Sequence, residues 1–126
     1  MKAWLLSICG LIIFIILSSL VQFRIQDNSK RFDKEIAKIE DNLVKKNWQK
    51  TYTKLYVLKT KWEKTKPLWA MLLHHQEIDS IDQSLIRSLR AIKSKNFTQS
   101  QIELGSLQHY IQHIPEREKF SLVNVF

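Results

Sequence analysis

Ala3-Trp4-Leu5-Leu6-Ser7-Ile8-Cys9-Gly10-Leu11-Ile12-Ile13-Phe14-Ile15-Ile16-Leu17-Ser18-Ser19-Leu20-Val21 is an uncharged apolar run bracketed by Lys2 and Arg24. A helix rises about 1.5 Å per residue, so about 20 such residues cross a hydrocarbon core roughly 30 Å thick. The run predicts a transmembrane helix over residues 1–23, with a helical domain over residues 24–126 hanging from it. A cleaved secretory signal ends in a small-x-small site. Ser18 and Ser19 are small, but two positions on stand Leu20 and Val21, too bulky for the last place before a cut. The reading is an uncleaved signal-anchor. Cys9 follows Ile8 where a lipoprotein needs a small residue, so it reads as a buried thiol, and one lone Cys forms no internal disulfide.

Two arguments on orientation oppose each other. Arg24, Lys30, Arg31, Lys34 and Lys38 follow the span, and positive charge there favours the cytoplasmic side. Against this, long domains translocate largely regardless of charge, and Lys2 followed by an apolar run has the layout of a signal-anchor. The expectation is a single-pass protein of the cell membrane with its C-terminal domain outside.

Beyond Arg24 the chain is long enough for one small domain. With two Gly and two Pro in 126 residues and apolar positions recurring at threes and fours, the class is all-α. The architecture expected is the transmembrane helix followed by a small antiparallel bundle of about four helices. Gln26-Asp27-Asn28-Ser29 reads as a polar break with cap residues, after which Phe32, Ile36, Ile39 and Leu43 share one face. A second seam, Val44, Trp48, Thr51, Leu55, Leu58 and Trp62, lies about 110° around from the first, so a break is expected near Lys46-Asn47.

Pro67 is expected to end that segment and open the next helix, which runs to Lys93. Its stripe is Met71, His75, Ile78, Leu85, Leu89 and Ile92. Thr98 with Gln101, and Phe97 with Ile102, have the spacings of a capping box and its hydrophobic staple, predicting a helix start at Thr98. That helix buries Leu104, Leu107, Ile111 and Ile114 before Pro115 stops or restarts it, and the apolar tail Phe120 to Phe126 is expected to dock.

Trp69-Ala70-Met71, His75-Gln76-Glu77-Ile78-Asp79, Leu85, Ile114-Pro115 and the closing Ser121-Leu122-Val123-Asn124-Val125-Phe126 together carry a likeness over nearly the full length. In these residues the chain resembles the small bacterial membrane-anchored family called domain of unknown function 4363, seen mainly in spore-forming Gram-positive bacteria. The resemblance implies a single-pass helical protein associated with sporulating cells. It implies no activity.

Two groups of residues are candidates for chemistry. On a helix, His75, Asp79 and Asp82 line one strip, three candidate metal ligands for a metal-binding or sensory domain. The plainer reading makes His75 and Asp82 buried polar groups bonded to each other or to Trp and Lys side chains of the neighbouring helix. His109 and His113 have pair spacing but point away from the Leu104-Leu107-Ile111 face. No nucleophile-base-acid set, phosphate loop or Cys pair is present, so neither an enzyme nor a cofactor is expected.

Charge is the stronger signal. Lys45 to Lys66 holds eight Lys and one acid, Glu63, and with Lys2 accounts for the whole formal charge of +8. Lys46, Lys50, Lys54, Lys61 and Lys64 fall on one side, with Tyr52 and Tyr56 on the other flank of the Trp seam. Such a face suits an anionic lipid surface, a wall polymer or an acidic membrane partner, or is simply solvated. Nucleic acid is disfavoured because the cluster has no Arg. The Trp48 to Trp62 seam also has coiled-coil spacing, which would serve a homodimer. The expected function is therefore non-enzymatic: docking by a tethered helical domain.

Overall fold

The computed structural model describes the backbone of residues 1–125 and the side chains of residues 1–114. It contains four helices, α1 (Lys2–Val44), α2 (Trp48–Ala70), α3 (His75–Lys93) and α4 (Phe97–Val125), and no strand among the described residues. Tight turns reverse the chain between successive helices. α1 packs on α2 and α4, α3 packs on α2 and α4, and among the described residues neither diagonal pair packs together. This is the up-down-up-down four-helix bundle that short connections produce.

The apolar first segment and the first bundle helix are one element. The polar break expected at Gln26 to Ser29 does not form, and two of its polar side chains find partners with the helix intact. Ser29 is buried and its hydroxyl donates to the Ile111 carbonyl of α4 at 2.8 Å, while Asp27 pairs with Arg31 one turn on. The buried face of α1 accordingly reads Ile25, Ser29, Phe32, Ile36, Ile39 and Leu43, an unbroken four-three alternation. Residues 1–17 are exposed throughout, Cys9 included, and α1 holds near the N-terminus a stretch long and apolar enough to cross a membrane, a test that a signal sequence also passes.

The break expected at Lys46-Asn47 is present, and its geometry recurs. In the first turn Lys46 takes φ 56°, its N–H reaching the Leu43 carbonyl and that of Asn47 the Asn42 carbonyl. In the third, Lys95 takes φ 56°, with Lys95 N–H to Ile92 and Asn96 N–H to Ala91. Both are Schellman closures with Lys in the left-handed place that Gly usually fills. Both then start a helix on an aromatic residue, Lys46-Asn47-Trp48 and Lys95-Asn96-Phe97. The cap of α4 is therefore Asn96, whose Oδ1 accepts from Gln99 N–H at 3.1 Å, rather than Thr98, and Ile102 is exposed instead of stapled.

Pro67 does not divide the helices. It lies inside α2, exposed, in the last turns before Ala70. What carries the helix past it is Trp69, fully buried, with its ring edge-on to Trp62 at 5.3 Å and to Phe32 at 6.1 Å. Met71 and His75 consequently leave the stripe assigned to them: both are exposed, and Leu73 is the buried residue of that turn. Pro115 does not stop α4, which runs from Phe97 to Val125. The expected docking of the tail side chains from Phe120 to Val125, and of Phe126, lies outside the described residues.

Candidate functional site

Thr51, Leu55, Leu58 and Trp62 form the inner face of α2 and are all buried within the bundle. Val44, expected to open the seam, is exposed. The outer face follows from helical periodicity: Lys50, Lys54, Lys61 and Lys64 fall within a strip about 80° wide, all exposed. At about 1.5 Å per residue the strip is about 21 Å long. Lys46 departs from it, because it sits in the left-handed turn with its ammonium 5.8 Å from the Phe97 ring centre.

A shallow groove of about 300 Å³ runs between α1 and α2 beneath the strip, lined by Glu35, Lys38, Ile39, Lys54, Val57 and Lys61. Lys38 joins the basic surface from the neighbouring helix, where reading one helix at a time does not find it. Lys61 donates to Glu35 at 2.7 Å, with both groups partly solvated. Among the described residues Lys38, Lys50, Lys54 and Lys64 form no ion pair. The groove thus offers ammonium groups around an apolar floor of Ile39 and Val57, a surface that attracts anions by charge rather than by a closed pocket.

The His75, Asp79, Asp82 strip is not assembled into a ligand set. Asp82 accepts from the Trp62 indole N–H at 2.7 Å and is paired with Lys66, tying α3 to α2. His75 and Asp79 face solvent. Among the described residues no group of three His, Cys, Asp or Glu could hold a metal ion. A separate cleft of about 310 Å³ between α3 and α4 is lined by His74, Glu77, Ser80, His109, Tyr110 and His113. There the His109 and His113 ring centres lie 4.0 Å apart with the planes tilted by 37°, and His113 Nδ1 lies 2.9 Å from the His109 carbonyl oxygen, an arrangement within α4 itself.

Electrostatic stress appears at one place on α1. Burial, then the charges of Asp33 and Asp41, push the Glu40 carboxyl above its ordinary value of 4.5. Asp33 is held as an acceptor by Gln108 and Gln112 of α4, both at 2.9 Å. The folded state therefore binds the Glu40 proton more tightly than the unfolded chain does. The stability this confers is full below the ordinary Glu value and is lost as pH rises through the raised one. Glu40→Gln raises the thermal midpoint at neutral pH and leaves it nearly unchanged below pH 4.5. Equal gains at both pH values, followed by circular dichroism, would remove charge as the cause.

No curated protein and no solved structure matches the chain. The family described as Domain of unknown function (DUF4363) matches residues 19–125, from the last three residues of the apolar run through the bundle. That span covers most of the chain, and the protein belongs to the domain of unknown function 4363 family.

Proposed function

We propose that the protein is a non-enzymatic, single-pass membrane protein that displays a basic strip to an anionic partner beside the bilayer. α1 serves as a retained signal-anchor of the cell membrane, and the bundle stands on the outer face. The observation that carries the reading is the row Lys50, Lys54, Lys61 and Lys64 with Lys38 across the groove, exposed and mostly unpaired among the described residues.

The continuity of α1 bears on which partner fits. A helix that leaves the membrane without a break holds the bundle roughly along the membrane normal. The Lys61–Glu35 pair puts Lys61 eleven residues beyond Arg24, about 16 Å out, and Lys50 about as far again. Charges separated by more than roughly 8 Å of physiological salt solution are largely screened. The host lipid heads are thus out of reach of the distal Lys residues, which favours an acidic membrane protein or an extended wall-type polyanion.

Polyglutamate and polyphosphate are the probes for the strip, added to the full chain in vesicles of phosphatidylcholine. At about 1 kcal/mol per Lys against an anionic surface, replacing Lys38, Lys50, Lys54, Lys61 and Lys64 by Gln weakens binding at least about tenfold and flattens its salt dependence. Binding that matches the wild-type chain sinks the proposal. Orientation is read separately, by labelling Lys95→Cys in a Cys9→Ala background with a membrane-impermeant thiol reagent on intact cells. Labelling is the expected result, whereas protection that disappears on lysis would put the bundle in the cytoplasm.

A further inference from the structure

The three turns of the bundle differ in chemistry. The two at the end far from the apolar half of α1 are Lys45-Lys46-Asn47 and Ser94-Lys95-Asn96, polar and basic. The turn at the other end joins α2 to α3 through Met71-Leu72-Leu73-His74, preceded by Pro67-Leu68-Trp69-Ala70, with no charged side chain between Lys66 and His74. Trp69 and Leu73 point into the core. Leu68, Met71 and Leu72 remain outside it, Met71 at 82% of full exposure.

The register of the bundle fixes where this apolar turn lies. Lys61 is level with Glu35, and α2 runs antiparallel to α1, so ten residues past Lys61 brings Met71 level with Ile25. Ile25 stands four residues, about 6 Å, from Val21, the last residue of the apolar run. Val21 is itself partly buried against the bundle core, so the core reaches the end of the apolar run with no spacer between them.

We infer that the α2–α3 turn is a second membrane contact, with Leu68, Met71 and Leu72 seated in the interfacial layer of the bilayer that α1 crosses. This rests on α1 being a retained anchor. Apolar side chains left in water at a turn gain by leaving it, and the nearest apolar medium at that level is the one α1 enters. The unbranched Met71 suits a layer of irregular, moving neighbours. A single span can tilt in the bilayer as one rod and carry the bundle with it. A second contact on the α2–α3 side restrains that tilt and with it the direction in which the Lys strip faces.

The experiment uses the full chain in phosphatidylcholine vesicles, with an environment-sensitive nitrobenzoxadiazole label at one Cys at a time: native Cys9, Met71→Cys or Lys95→Cys, the last two in a Cys9→Ala background. Lipids carrying a nitroxide either deep in the acyl chain or close to the headgroup serve as quenchers. The expected result is loss of Cys9 emission with the deep quencher, a blue shift and loss of emission at position 71 with the shallow one, and no change at position 95. Emission at 71 as red and as unquenched as at 95, with Cys9 still quenched, overturns the turn contact alone. An unquenched Cys9 overturns the anchor beneath it. A blue-shifted label at 71 that neither lipid quenches assigns the turn to a protein and overturns the lipid contact.

Discussion

Trp62→Ala lowers the unfolding free energy of the bundle by about 3–5 kcal/mol, the range for removing a buried Trp from a packed core. The indole is 2% exposed, meets Phe32 edge-on at 6.3 Å and Trp69 at 5.3 Å, and donates its N–H to Asp82. Truncation leaves a cavity beside Phe32 and Trp69 and strips one of the two partners from the half-buried Asp82 carboxylate. A domain of this size has only about 5–15 kcal/mol in total, so the variant stands close to unfolding. Conservative changes separate packing from hydrogen bonding. Trp62→Phe still loses the bond to Asp82, whereas Trp69→Phe loses none, because the Trp69 N–H is buried without a partner among the described residues. Denaturant titration of the full chain in micelles, followed by circular dichroism, should therefore rank Trp62→Phe as the more damaging of the two. Tyr56→Ala, on the exposed face, serves as the reference and shifts stability by no more than about 0.5 kcal/mol. A Trp62→Ala chain as stable as that reference would remove the aromatic cluster from its central place.

Asn28→Pro is expected to cost about 3 kcal/mol or more, because Pro in a helix interior removes one backbone hydrogen bond and drives its ring into the carbonyl one turn back, here that of Arg24. Asn28 lies in the middle of Gln26-Asp27-Asn28-Ser29, which local pattern reads as a break and the fold makes continuous helix. The two readings predict opposite outcomes. In a break, Pro is tolerated and the bundle unfolds as before. In a continuous α1, Pro kinks the helix, pulls Ser29 from the Ile111 carbonyl and uncouples the apolar segment from the bundle. Asn28→Ala leaves the backbone bond in place and changes stability little. The comparison is made by denaturant titration in micelles, and equal midpoints for the Pro and Ala variants would argue against a continuous α1.

The all-α class, the apolar first segment, the break at Asn47 and the faces carrying Ile36, Leu55, Leu85 and Leu104 were legible in the residues alone. Each depends on a pattern contained within a single helix: hydrophobic periodicity, or a change of face that a straight helix cannot keep on one core. The row Lys50, Lys54, Lys61 and Lys64 on α2 was legible for the same reason, since charge and helical spacing place it without knowledge of any neighbour, whereas Lys46, read as part of it, lies in the turn before the helix.

What only the tertiary structure decided are the points where a residue answers to a partner far away in sequence. Ser29 could have capped a helix but instead donates to a carbonyl 82 positions on. Pro67 could have started a helix but stays inside one because Trp69 fills a space bounded by Phe32 of α1. Asp82 could have faced a ligand but is held by Trp62 and Lys66. Lys38 joins the Lys strip only because α1 lies beside α2, and the apolar α2–α3 turn falls level with Ile25, one helical turn from Val21, in the register that the Lys61–Glu35 pair marks. Local propensities differ by a few tenths of a kcal/mol to about 1 kcal/mol per residue, whereas burying a large side chain or satisfying a buried polar group is worth more, so packing settled every position where the two disagreed.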